Sequence, residues 1–173
     1  MLRRFGHDAR MADPYGDARR LVLVRHAKAG NPVATGDKGR PLTDGGRSDA
    51  RAAGAWLGQR VAQVDVIWSS SATRAQETAD ALLAGLTDPP KPVPRDELYE
   101  AGPGGVVELF AELDDESAVV VVGHNPTIEV LHDALSGDRR GFRPGSVSVL
   151  ELTTGWGEVT EGSARLLDFW APS

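Results

Sequence analysis

The stretch Leu21-Val22-Leu23-Val24-Arg25-His26-Ala27 decides the fold. Four apolar residues in a row read as a short strand buried in a sheet. The run stops on a cation and an imidazole, and a loop with Gly30, Asn31 and Pro32 follows. A buried strand ending this way delivers Arg25 and His26 to the rim of the sheet. In open α/β sheets ligands bind at that rim, beyond the carboxyl ends of the strands.

Upstream, residues 1–20 are polar and lack periodicity. They are expected to form a flexible arm, leaving residues 21–173 as the single domain. Downstream, Lys28 to Pro41 is a loop carrying Asp37, Lys38 and Arg40. Thr43 can cap the next helix, with Asp44 well placed in its first turn. Ala50, Ala53, Gly54, Leu57 and Val61 then recur at helical spacing. Val64 to Trp68 reads as a second strand, followed by Ser69-Ser70-Ser71 and a helix with Ser71 as cap and Arg74 in its first turn. The inner stripe of that helix is Ala75, Thr78, Ala79, Leu82 and Leu83. Pro92-Val93-Pro94 fits only a sheet edge, because two prolines cannot donate to a ladder.

After a loop at Gly102 to Gly105, Val106, Leu109, Phe110 and Leu113 return to helical spacing. Ser117 to Val122 is a strand apolar enough to be buried on both faces. It ends in Gly123-His124-Asn125-Pro126, where Asn125 suits a helix cap and Pro126 a first helical residue. Ile128, Leu131 and Leu135 carry the helix to Gly137, with His132 expected at its surface. Ser146–Leu152 and Ala164–Phe169 read as two further strands, at least one antiparallel. Strands alternating with helices predict an α/β fold: a three-layer α/β/α sandwich whose central sheet is mainly parallel with an antiparallel strand.

The chain has 173 residues and a formal net charge of -6. That length suits one domain, and the charge argues against a nucleic-acid partner, which favours a basic face. There is no cysteine, which removes thiolate chemistry and fits a reducing cytoplasm. No run approaches the roughly 20 apolar residues needed to span a bilayer, and no secretory signal follows Arg3 and Arg4. A cytoplasmic chain without membrane contact is expected, monomeric because no exposed apolar stripe stands out.

If the three main strands are parallel, Arg25-His26, Ser71 to Arg74 and Gly123-His124-Asn125 meet on one edge. Two of these junctions are also helix N-termini, where free N–H groups and the dipole favour an anion. Taken singly, each residue has a plainer reading as a hydrogen-bonded histidine or a solvated arginine. Together they predict an anion site.

Arg25-His26-Ala27, Ser70-x-x-x-Arg74-Ala75-x-x-Thr78 and Gly123-His124-Asn125 resemble, in order and spacing, the motifs of the histidine phosphatase superfamily. Arg40-Pro41-Leu42-Thr43 and the closing Ser163 to Phe169 segment add to the likeness, which looks strongest toward its short phosphohistidine phosphatase (SixA-like) branch. The resemblance implies a phosphoglycerate mutase-like fold, with His26 as nucleophile forming a covalent phosphohistidine. It further implies Arg25 and Arg74 on the phosphoryl oxygens, and His124 as a second donor to them. The two arginines should also keep His26 neutral by like-charge repulsion. No metal or other cofactor is required. Arg40, Lys28 and Asn125 are secondary candidates for substrate binding, although Asn125 fits a cap better. Glu100 lies in the region where mutase-like relatives place a general acid, but its neighbours do not match their motif.

A site without a dedicated acid could still cleave a P–N bond, because imidazole, with a pKa near 6.5, leaves far more readily than an alkoxide. The short stretch from Pro94 to Ser117 leaves no room for a capping insertion, so an open site is expected. The substrate is then a phosphorylated protein or a small phosphorylated molecule. The alternatives are a sugar phosphate or nucleotide phosphomonoesterase, a non-catalytic phosphate-binding module, and a metal hydrolase using His26 and His124. A mutase, which must keep its phosphoenzyme from water, fits less well.

Overall fold

A computed structural model describes residues 18–173. The arm expected over residues 1–20 lies outside the described residues up to position 17. Arg20, assigned to that arm, is instead the buried first residue of strand β1 (Arg20–Arg25).

Six strands form one sheet in the order β3-β2-β4-β1-β5-β6. They are β1, β2 (Val66–Ser70), β3 (Val93–Arg95), β4 (Ala118–Gly123), β5 (Val147–Leu152) and β6 (Ala164–Trp170). β1, β2, β3 and β4 run parallel, and β5 is antiparallel to both β1 and β6. The expected mixture is present, with β5 alone reversed. β3, which contains Pro94 and follows Pro92, lies at the sheet edge.

The alternation of side chains along β1 and β4 builds two cores. Leu21, Leu23, Val119 and Val121 face one side, where they meet Leu98, Val106, Leu109, Ile128, Leu131 and Leu135. Val22, Val24, Val120 and Val122 face the other, against Ala53, Leu57, Ala75, Ala79 and Leu82. Helices α1 (Asp44–Gly58) and α2 (Thr73–Leu82) therefore cover one face. The other is covered by α3 (Glu97–Glu100), α4 (Pro103–Leu109) and α5 (Thr127–Ser136). The result is the three-layer sandwich. Each strand aliphatic buried this way contributes on the order of 1.5–3 kcal/mol. None of the described helices is long and apolar enough to cross a membrane.

Local signals decide the helix ends. Thr43 Oγ1 accepts from Gly46 N at 3.0 Å and caps α1, a contact worth about 1 kcal/mol. Gly137, at φ 71, closes α5 in the left-handed region with its N–H on the Asp133 carbonyl. α1 and the turn after α2 cross so closely that a Cβ on Gly54 would run into the Leu82 carbonyl.

Four expectations are corrected. Ser71 does not cap α2: Ala72 holds that position, and the Ser71 hydroxyl donates to Asp96. Asn125 does not cap α5, which starts at Thr127; its amide turns instead to Glu129 and to the Phe142 carbonyl. α4 begins at Pro103, so Gly104 and Gly105 are helical rather than loop. His132 is fully buried. It shares the inner stripe of Ile128, Leu131 and Leu135, its Nδ1 meets Ser148 Oγ at 3.1 Å, and its ring packs against Phe142.

Candidate active site

The carboxyl ends of β1, β2 and β4 lie side by side. Arg25 is in register with Gly123, and His26 N donates to the Gly123 carbonyl at 2.9 Å. The chain leaves β2 into α2 and β4 into α5 from the same rim. This brings Arg25, His26, Arg74 and His124 into one cleft of about 490 Å³, which Asp37, Arg40, Tyr99 and Asn125 also line.

His26 Nδ1 lies 2.8 Å from the Ala27 carbonyl oxygen. A carbonyl only accepts, so the proton belongs on Nδ1 and the Nε2 lone pair is left free. That lone pair meets Arg74 Nε at 3.3 Å. The loop after β1 is held to α2 by a buried hydroxyl: Ala27 N donates to Thr78 Oγ1 at 3.0 Å, and Thr78 Oγ1 donates to the Arg74 carbonyl at 2.7 Å. The four-residue spacing of Arg74 and Thr78 thus fixes both the arginine's turn and the exit of the His26 strand.

Arg74 is nearly buried and touches every other group on its side. Nη1 donates to the Asp37 carbonyl at 2.8 Å and Nη2 to Asp37 Oδ2 at 3.2 Å, while Nη2 lies 3.4 Å from His124 Nδ1. A guanidinium cannot accept, so His124 Nδ1 carries the lone pair and Nε2–H donates to Ser70 Oγ at 2.7 Å. Ser70 Oγ also accepts from Ala72 N. The serine opening the Ser70-to-Thr78 motif therefore orients the second histidine.

Both rings are held neutral. Burial lowers the His26 pKa to about 4, and Arg74, Arg25 and Arg40 add to the effect against the Ala27 carbonyl. Burial likewise lowers His124 to about 4, helped by His26 and Arg74. Repulsion from the arginines was expected as the cause; desolvation comes first and repulsion second.

Asp37 and Tyr99 were not foreseen. Asp37 sits on a single 3-10 turn, Asp37–Gly39. It accepts from Arg40 Nη1 at 3.0 Å, from Arg74, and from the Tyr99 hydroxyl at 3.1 Å. The Arg40 contact leads in lowering its pKa to about 2, so it is a carboxylate at any ordinary pH. Tyr99 presents its ring at an edge-on angle to His124, with centroids 5.7 Å apart.

Of the secondary candidates, Arg40 and Asn125 line the cleft. Arg40 Nε is tied to the Gly30 carbonyl. Glu100 and Lys28 are exposed and do not line it. On a helix as short as α3, one residue is a turn of about 100°, and Tyr99 rather than Glu100 takes the inward position. Lys28 contributes only its carbonyl, which accepts from Thr43. Among the described residues no group of three or more histidines and carboxylates gathers to hold a metal ion. Between His26 and His124, whose centroids are 5.0 Å apart, the Arg74 guanidinium reaches both rings, a poor setting for a cation.

The Histidine phosphatase superfamily (branch 1) model matches residues 21–114. An uncharacterised protein of Mycobacterium tuberculosis is 34% identical over 161 residues, spanning 86% of this chain and 99% of the relative. Two solved structures, both described only as candidate phosphohistidine phosphatases SixA, share the fold. The protein from Nakamurella multipartitia superposes with a TM-score of 0.79 at 35% identity, over 90% of this chain and 96% of its own. That from Agrobacterium tumefaciens gives 0.75 at 30% identity, over 90% and 99%.

Proposed function

The chain belongs to the histidine phosphatase superfamily, and we propose that it removes phosphoryl groups from phosphohistidine on a protein, through a covalent phosphohistidine on its own His26 and without a metal ion. One observation carries the reading: the Ala27 carbonyl holds the His26 proton on Nδ1, so the unprotonated Nε2, which accepts from Arg74 Nε at 3.3 Å, faces a cleft lined by three arginines.

Nε2 attacks phosphorus in line as the bond from phosphorus to the substrate's nitrogen breaks. Arg25 and Arg74 carry the phosphoryl oxygens, with Arg40 beside them, and positioning plus charge supply the catalysis. His124 Nδ1 faces Arg74 as an acceptor and becomes a donor to a phosphoryl oxygen only after taking up a proton, which the incoming dianion favours. Water then attacks phosphorus, Nε2 recovers its electron pair, and inorganic phosphate leaves. Among the described residues the only carboxylate lining the cleft is ionised Asp37. No acid stands ready for an alkoxide, which favours an imidazole leaving group.

A second reading, a small-molecule phosphomonoesterase, is favoured by the same Asp37. A phosphoryl group that took over Arg40 and Arg74 would remove the contacts that keep Asp37 ionised, and the carboxyl could then protonate an ester oxygen.

The test uses purified protein in chelator, with a phosphohistidine-bearing protein and, separately, p-nitrophenyl phosphate and an alkyl phosphate monoester. An acid-labile phosphoenzyme and turnover should be seen in the wild type and be absent from His26→Ala. Faster turnover of an alkyl phosphate than of phosphohistidine would sink the first reading in favour of the second. Phosphate binding without turnover of either would leave a binding module.

A further inference from the structure

The chain is acidic overall, yet Arg139 to Arg143 places three arginines in five residues. This segment joins α5 to β5 and is built into the wall of the cleft. Phe142 is buried, and its carbonyl accepts from Arg25 Nη1 at 2.7 Å and from Asn125 Nδ2 at 3.2 Å. Its N–H donates to Glu129 Oε2 at 3.0 Å, the same oxygen that accepts from Asn125 at 2.9 Å. Two residues beyond Arg143, Gly145 N meets the carbonyls of Arg25 and His26, each at 3.1 Å. The loop is thus fastened on both sides of Arg143 to the residues that present the nucleophile.

Its cations are not equivalent. Arg140 is committed, paired with Asp138 and stacked over Phe169. Arg139 and Arg143 are exposed, and their guanidinium groups have no hydrogen-bond or ion-pair partner among the described residues. Four carboxylates near this edge are already engaged: Asp37 by Arg40 and Arg74, Asp96 by Lys38, Glu129 by Asn125 and Phe142 N, Asp138 by Arg140; a fifth, Asp133, has a buried Oδ1 and forms no ion pair with either arginine. Two unpaired cations therefore sit on the loop that braces Arg25, His26 and Asn125, in a protein whose net charge is -6. Such an array steers and orients an acidic partner.

We propose that the Arg139–Arg143 loop is a docking surface for an acidic segment flanking the phosphorylated residue of a protein substrate. This rests on the phosphatase reading for the position of the phosphoryl group. It adds that glutamate and aspartate around that residue are read by Arg139 and Arg143, while the cleft reads the phosphoryl group alone.

The test measures binding, so it does not depend on turnover. Two short peptides carry the same hydrolysis-resistant phosphohistidine analogue, one flanked by glutamates and the other by glutamines. Fluorescence anisotropy gives each affinity for the wild-type protein and for Arg139→Gln/Arg143→Gln. The glutamate peptide should bind about tenfold tighter at low salt, with the preference shrinking as salt screens it. In the double variant the ratio should approach one, and Arg139→Lys/Arg143→Lys should retain most of it. Equal affinities in the wild type, a preference that survives the double glutamine variant, or binding of neither peptide would overturn the docking surface. Absence of phosphohistidine turnover with the ratio intact would instead count against the phosphatase reading and leave the docking surface standing.

Discussion

On one wall of the cleft Arg25 leans on the carbonyl of Phe142; on the other, Arg40 and Arg74 both grip the Asp37 carboxylate. A carbonyl aligns a guanidinium without forming an ion pair, and the Glu129 carboxylate acts on Arg25 only through space. A carboxylate aligns it and cancels part of the charge as well. The first wall is therefore ready for an anion as it stands. The second must exchange one anion for another, and Asp37 occupies the donors that a phosphoryl group would use. The contrast teaches that three arginines around one histidine need not be equal partners in binding an anion.

The comparison breaks most visibly at Arg74, which touches both histidines and Asp37. Arg74→Ala should lower kcat/KM by about 10³, and Arg25→Ala by about 10², the range seen when one charge-stabilising donor is lost. Equal losses from steady-state kinetics would show that the walls do not differ. Arg74→Lys should recover little, since an ammonium cannot reach both rings and Asp37 at once.

Asp37→Asn sharpens the contrast from the opposite side. Removing the resident carboxylate should strengthen sulfate binding by about tenfold, read by isothermal titration calorimetry. An unchanged sulfate affinity would mean that Asp37 does not compete with the anion.

The two neutral rings make a further prediction about stability. In the folded protein His26 and His124 take up protons only near pH 4, whereas in the unfolded chain they do so near 6.5. Between those values protons favour the unfolded state. Stability should be complete above about pH 6.5 and fall by on the order of a few kcal/mol as the pH drops toward 4. Urea midpoints across that window would show it, and a His26→Ala/His124→Ala protein should show a shallower decline. The smallest effect is expected at Glu100→Gln, which should leave kcat on both substrates within about twofold, as suits an exposed side chain.

What the sequence made legible follows from burial. The strands at Arg25, Ser70 and Gly123 could be read because an apolar run ends on polar residues, and parallel order then places those ends together. His132 is where the reading went wrong although its position held the signal. It stands four residues after Ile128 and three before Leu135, inside the stripe, but its polarity suggested the surface. Asp37 and Tyr99 were not legible as site residues. Their direction depends on how a one-turn 3-10 segment and a four-residue helix seat against the sheet, and no periodicity records that. Asn125 had the composition of a cap, but its amide has better partners in Glu129 and Phe142.

β5 alone runs against its neighbours. The chain must therefore climb back from the far end of α5 to the rim before it can enter the sheet beside β1. A parallel fifth strand would have kept that connection on the opposite edge. The reversal separates two inheritances. The setting of His26 is written in β1, β2 and β4, while the brace behind Arg25 is written in a connection whose length and composition the sheet does not dictate. On the proposed reading, changes at the exposed Arg139 and Arg143 side chains would retune which molecules are accepted while the Phe142 and Gly145 contacts to Arg25 and His26 stay in place, and those two positions are where a new specificity would be grafted.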